Sequence, residues 1–430
     1  MAVRMSDIVI TGIGIMSPVG CGVDAVWDSV SAGNNGFRKV THLSHIGSPD
    51  CIGGEVEGFD EKSAKKTHLK PVRKQVKVMC REIQLGVASA LQAVSHAGID
   101  MEAIANERIG VDFGANLMSS PPDVLLDAGF NARGDNGFDY GRWGVEGDNK
   151  FKGMEPLWLL KYLPNMPGCH IGIAVDARGP NNSLTQDEAS GGLVIAEAAN
   201  IIRRGRADIM ITGTTGTRLH VVKACQHEKW DRHASGPAES RCRPLDRTRC
   251  GEVVAESSCT LILESREHAE ARGATIWGTI LGTGASCVAG KDGTADETQA
   301  VKNAAAAALR NADVSLADVG HISACSSGHP QRDAFEAAAL ADMTAEHGTP
   351  VTASKSYAGS AGSGSSLTEL AISLLGLRNG VIPRTLNFES ADDGVQLNVV
   401  SGEHQTTDNK LFLKTSVTRM GQSSAIVVSA

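Results

Sequence analysis

Two stretches of this chain repeat one pattern of helix, turn and strand, and a repeat on that scale fixes the class of fold before any motif is weighed. In the first half, ALQAVSHAGID (residues 90–100) closes a helix, and the strand-like IGVDFGA (109–115) follows a polar turn. In the second half, AALRNADVSLADV (307–319) leads into GHISACSSG (320–328). Each reads as an Ala-rich helix, a turn carrying Asp and a buried strand ending in small residues. A second pair is NSLTQDEASGGLVIAEAANIIRRGRADIMITG (182–213) and TASKSYAGSAGSGSSLTELAISLLGLRNG (352–380). Both place a turn before a helix whose apolar residues recur every three to four positions with few charges, so these helices are buried on most sides. Two copies of one α/β unit then bury their central helices between two sheets. The copies meet near residues 262–275, giving predicted halves of 1–265 and 266–430. Residues 118–178 interrupt the first copy with Pro, Gly, Trp and Tyr and little periodicity, the pattern of a cap or an interface.

At 430 residues the chain is too long for one ordinary core, which agrees with a duplicated unit. Forty-eight glycines against 4% aromatics suit an α/β protein with tight strand-to-helix turns. A formal charge of −8 argues against a general nucleic-acid binder, which needs a basic surface to displace counterions. One stretch runs the other way: Lys62, Lys65, Lys66, Lys70, Arg73, Lys74, Lys77 and Arg81 face only Glu61 and Glu82. It reads either as a solvated helix face or as a docking site for an acidic partner.

Ten cysteines lack any C-x-x-C pair and read as reduced thiols. His220, His227 and His233 lie near Cys225 at no common zinc spacing, so no metal is expected. No apolar run reaches membrane-spanning length. The first strand is expected at Ile8, leaving no room for a signal peptide, so the predicted location is the cytoplasm. IVITGIGIMSPVG (8–20) mimics a dinucleotide-binding turn only in part. The third glycine would fall at Ser17 and no helix pattern opens there, so no cofactor is expected.

Several segments, in order, resemble the β-ketoacyl-acyl-carrier-protein synthases. IVITGIGIMSPVG is similar to the family's opening strand, and LPNMPGCHIGIAVDARGPNNS (163–183) to the approach to its nucleophile. RPLDRTRCGEVVAESSCTLILESREHAEARGA (243–274) resembles the crossover between halves, and KSYAG (355–359) the lysine loop. The resemblance implies a thiolase-like, duplicated α-β-α-β-α layered fold, usually dimeric. It also implies condensation through a cysteine at a helix start, where the dipole favours a thiolate, assisted by two histidines. None of the three is present. Glu188 stands at the nucleophile position, Cys325 at the first histidine position and Ser360 at the second. The glycine- and phenylalanine-rich gate is reduced to TSVTRMGQSS, with Arg419 at the gate position and Gly421 kept. Lys355, Asp333, Glu336 and Glu369 persist and read as ion pairs that hold loops.

Glu188 is expected to be ionised, because helix amides stabilise an anion there. Cys325 and Ser360 are weak donors that bring no positive charge for an enolate. The pattern is most similar to chain-length factors, ketosynthase-like subunits that pair with an active ketosynthase. This implies a non-catalytic partner of a homo- or heterodimer that meets acyl carrier protein, with Lys65, Lys66, Lys70 and Arg73 steering the acidic carrier. Two other readings stand beside it. One is an enzyme of changed acyl chemistry centred on Glu188, with Asp187, Cys325, His329 and Arg419. The other is a homodimer that holds acyl chains or acyl carrier protein without turnover.

Overall fold

The computed structural model describes residues 7–41, 52–101, 103–144, 154–155, 157–230 and 233–430. Cys51 and the side chain of His227 lie outside the described residues. The strands of the first half that carry the repeated order are β1 Ile8–Ser17, β2 Ile109–Ala115, β3 Asn181–Leu184, β4 Ile209–Thr217 and β5 Glu256–Ser265. Their counterparts in the second are β6 Gly278–Cys287, β7 His321–Ser323, β8 Val351–Thr352, β9 Leu411–Val417 and β10 Gln422–Ser429. The main helices are α1 Arg81–His96, α2 Met166–Val175, α3 Ser190–Arg203, α4 Glu297–Ala312, α5 Pro330–Thr344 and α6 Ser363–Arg378.

The sheet order is β8-β7-β9-β10-β6-β1-β5-β4-β2-β3. Each half therefore runs third, second, fourth, fifth, first. Directions repeat as well: the second strand pairs in parallel with the third and fourth, and the remaining pairs within a half are antiparallel. Even the bulge recurs, between Ile10 and Gly12 in β1 and between Ile280 and Gly282 in β6. The layered α/β class and the duplication read from the sequence are both present. The expected pair of separate sheets is instead one continuous sheet. Its halves are joined where Ile8–Ile10 meets Gly278–Ile280 in an antiparallel seam.

The repeated bulge explains glycines that the sequence reading set aside. A Cβ on Gly14 would overlap the Ser89 carbonyl of α1, and one on Gly284 would overlap the Ala304 carbonyl of α4. Gly12 and Gly282 meet the same two helices in the same way. These residues let a helix backbone lie directly on the strand, and they lie within the strand rather than in a turn after it.

α3 and α6 pack on each other between the two arms of the sheet. Every residue from Ser363 to Leu377 of α6 is buried, which accounts for its low charge. The one charged side chain in that run, Glu369, is met by Lys355 and Lys414, each at 2.7 Å. Within 118–178, short helices and a two-residue ribbon carry exposed Leu126, Phe130, Phe138, Tyr140, Leu157 and Leu159. Phe138 packs on Tyr140 at 4.9 Å, and Trp158 links Trp143 to Tyr162 at 6.4 Å each. β3 ends the sheet beside this region and, among the described residues, pairs only with β2.

Candidate functional site

Three loops bring Glu188, Cys325 and Ser360 together. Glu188 sits in the single turn Asp187–Ala189 that runs straight into α3, and it is 1% exposed. Cys325 follows β7 by two residues. Ser360 follows Gly359, whose φ of 75° turns the chain after the Lys355–Ala358 helical turn. Glu188, Cys325 and Lys355 line one small cavity of about 10 Å³, room for a single water. Arg218 joins Ser360 to the group, with one guanidinium nitrogen donating to Ser360 Oγ at 2.7 Å and the other to Glu188 Oε1 at 2.6 Å.

Arg218 and Arg332 are the residues that sequence reasoning missed. Arg218 stands just past β4 and binds Glu188 and Glu252, the latter at 2.7 Å. Arg332, in the first turn of α5, reaches the same two carboxylates at 3.6 and 3.5 Å and donates to the Val417 carbonyl at 3.0 Å. Ser327 Oγ also donates to Glu252. Burial alone would raise the Glu188 carboxyl, but Arg218, Arg332 and Lys355 hold it down to about 2. Ionisation is thus as expected, with a different cause: the charge rests on side-chain cations, and Glu188 Oε2 has no hydrogen-bond partner among the described residues.

The expectation that these positions lack positive charge is also corrected. Lys355 Nζ lies 3.3 Å from Cys325 Sγ and donates to the Cys325 carbonyl at 2.6 Å. Burial still dominates the thiol and pushes it up to about 11 against the pull of Lys355, so Cys325 is protonated at neutral pH. The retained acids hold loops. Asp333 accepts the backbone N–H groups of Leu245, Ser327 and Gly328, each at 2.9 Å. Glu336 accepts from Cys325 N at 2.8 Å and Ser326 Oγ at 2.6 Å. His329 caps α5, its Nδ1 accepting from Gln331 N and Arg332 N, which sets the helix turn that carries Arg332.

Outside this cluster lies an open pocket of about 650 Å³. Arg218, Arg332, Asp187, Lys223 and Arg419 line it, with amides from Asn116, Gln186 and Gln422. Among the residues lining the two cavities, Arg332 is the one they share. Arg419 is exposed at the rim, at the predicted gate position. Lys223 is tied to buried Glu82 at 3.1 Å, and Glu82 also accepts the Asn116 N–H.

The basic stretch forms the helix Glu61–Thr67 and two short turns, Lys70–Val72 and Val76–Val78. Lys66, Lys70, Arg73, Lys74 and Lys77 are exposed, while Lys65 is half-buried and pairs with Glu61. Arg81 leaves this surface to bind buried Glu256 at 2.6 Å. Among the described residues no cluster of His, Cys, Asp and Glu could hold a metal, and no helix is long and apolar enough to cross a membrane. The nine described cysteines are all free thiols.

Comparison with known proteins gives a consistent pattern. The beta-ketoacyl synthase N-terminal domain matches residues 5–269, and the C-terminal domain matches 277–389. A 3-oxoacyl-[acyl-carrier-protein] synthase 2 of Coxiella burnetii is 28% identical over 433 residues, covering 98% of both chains. Among solved structures, the ishigamide ketosynthase/chain length factor superposes with a TM-score of 0.83 at 24% identity over all of both chains. A type II PKS acyl-carrier protein in complex with its ketosynthase gives 0.79 at 22% identity, again over all of both chains. At these identities the structural matches speak for the fold alone.

Proposed function

Since the chain belongs to the β-ketoacyl synthase family, we propose that it serves acyl-chain synthesis of the fatty-acid or polyketide type as a partner subunit that does not itself condense. One observation carries this reading: the nucleophile position holds a buried carboxylate clamped between two guanidinium groups. A carboxylate held near a pKa of 2 is a poor nucleophile, and an acyl-glutamate would be a mixed anhydride, a poor acyl carrier beside a thioester. Arg332 lines both the open pocket and the small cavity that holds Cys325 and Lys355. A thiol raised to about 11 weighs against a replacement nucleophile, and hence against an enzyme of changed chemistry.

Support for a partner comes from the 118–178 segment of the first half. Exposed Leu126, Phe130, Phe138, Leu157 and Leu159 lie in the segment that leads to the edge strand β3. An apolar surface beside an edge strand is what a second ketosynthase-like chain would cover. The ketosynthase/chain length factor match is consistent with such pairing. Lys65, Lys66, Lys70 and Arg73 are the proposed contact for an acidic acyl carrier protein, with 1–265 and 266–430 as the two halves and the cytoplasm as the location.

The test is a tagged pull-down from the native source with mass spectrometry of what co-elutes in near-equal amount. A second ketosynthase-like chain that keeps the cysteine and both histidines is the expected result. Recovery of a self-dimer alone would remove the partner reading and favour the homodimeric binding protein.

A further inference from the structure

The short helix Leu126–Asn131 is inside out for a surface helix. It buries Ala128 and leaves Leu126, Asp127 and Phe130 exposed. The ribbon that follows, Arg133–Gly134 against Gly137–Phe138, buries none of its residues. Phe138 meets exposed Tyr140 edge to face at 4.9 Å and Trp143 at 6.0 Å. Arg133 joins the two parts: its guanidinium lies 4.5 Å over the Phe130 ring, and Arg133 pairs with Phe138 across the ribbon. Large apolar side chains thus form one outward patch, the mark of a protein contact.

The charges of this patch are one-sided. Arg142 is paired with Asp139 at 3.1 Å, which leaves Arg133 as its other arginine. Asp123, Asp127 and Asp135 are exposed, and among the described residues none of the three has a cation within ion-pair distance. Identical chains that close into a dimer meet about a two-fold axis, so one patch supplies both sides of the contact. A second copy would bring the same three carboxylates against them. The formal charge of −8 on each chain adds to that repulsion at longer range.

We propose that this patch selects its partner by charge: it disfavours a second copy of the chain and accepts a different chain whose facing surface is apolar and basic. Lysine or arginine on that chain stands opposite Asp123, Asp127 and Asp135. The leucine and aromatic side chains supply the attraction that any apolar surface would share, and the three aspartates supply the discrimination. A contact of this kind gains its specificity from a repulsive element as much as from an attractive one. Coulombic complementarity also speeds the encounter with the correct chain and suppresses the wrong one. This rests on the partner reading for the apolar contact and adds what chooses between the homodimer and the heterodimer.

The test needs only the full-length chain and a second copy of it. Sedimentation equilibrium measures self-association of the wild type at low and at high sodium chloride, and of the triple variant Asp123→Asn, Asp127→Asn, Asp135→Asn under the same conditions. Wild-type self-association should be weak at low salt and strengthen as salt screens the carboxylates. The triple variant should self-associate about tenfold more tightly at low salt, the scale of three exposed charge contacts removed. Its salt response should be smaller, which separates these aspartates from the charge of the whole chain. Asparagine keeps the size of aspartate and suits the same turns. The wild-type salt series stands without any variant. Wild-type self-association that salt weakens or leaves unmoved overturns the proposal, and so does a triple variant that associates no more tightly than wild type. The pull-down reads whether a second kind of chain is present and this series reads what selects it, so each can fail while the other holds.

Discussion

Replacing Glu188 by Gln removes one charge and almost no volume, which makes it a clean probe of the arginine clamp. In the native protein the carboxyl sits at about 2, against 4.5 for an unperturbed glutamate. That gap corresponds to about 3 kcal/mol of stability at neutral pH. Breaking one partner out of a buried ion pair costs about 3–5 kcal/mol on independent grounds, so the two routes agree. The sign follows from the direction of the shift. A folded-state pKa below the unfolded one contributes stability that is complete above 4.5 and disappears as pH falls toward 2. Urea unfolding of wild type and Glu188→Gln at pH 7 should therefore differ by about 3 kcal/mol, and by about 1 kcal/mol less at pH 4. Both proteins carry Asp187→Asn in this comparison, because Glu188 raises the Asp187 carboxyl and its removal would shift that titration in the same window; the glutamine then cannot titrate, and the narrowing comes from Glu188. A variant as stable as wild type at pH 7, or a gap that does not shrink on acidification, would falsify the clamp as the source of the shift.

Two further outcomes follow from the same geometry. On the proposed reading that Cys325 and Ser360 stand at the two histidine positions, Glu188→Cys alone should give no chain elongation when supplied with acyl- and malonyl-loaded carrier protein; any ketoacyl product above the no-enzyme level by mass spectrometry contradicts this. Reversing charge at Lys70 and Arg73, both exposed and outside any buried pair, should weaken carrier-protein binding by about 1–2 kcal/mol and flatten its salt dependence. Surface plasmon resonance at two salt concentrations checks it, and unchanged affinity removes the docking role.

The order of segments in the chain made the duplication and the meeting of Glu188, Cys325 and Ser360 readable, because the motifs carrying them keep their places. The function of Gly12 and Gly14 was not readable from their own stretch. It needs the α1 helix some seventy residues later, and only the matching Gly282 and Gly284 over α4 make the pattern plain. Arg218 and Arg332 were missed for a related reason. Each lies in a segment that reads as an ordinary strand end or helix start, and their shared targets, Glu188 and Glu252, are far apart in sequence. A weak signal did exist: a buried strand such as ITGTTGT that ends on arginine must find that charge a partner nearby. Lys414 in LFLKTSV carried the same signal and is answered by Glu369. The single sheet was out of reach because the seam between halves is only three residue pairs long.

The clamp also has a mechanical consequence. Glu188, Arg218 and Glu252 belong to the first half of the chain, while Arg332, Ser360 and Lys355 belong to the second. If one half loosened while the other stayed folded, unpaired charges would be left in the interior of whichever remained. The cluster thus acts as a latch across the duplication, favouring a molecule that melts in a single cooperative step over one that comes apart as two independent lobes.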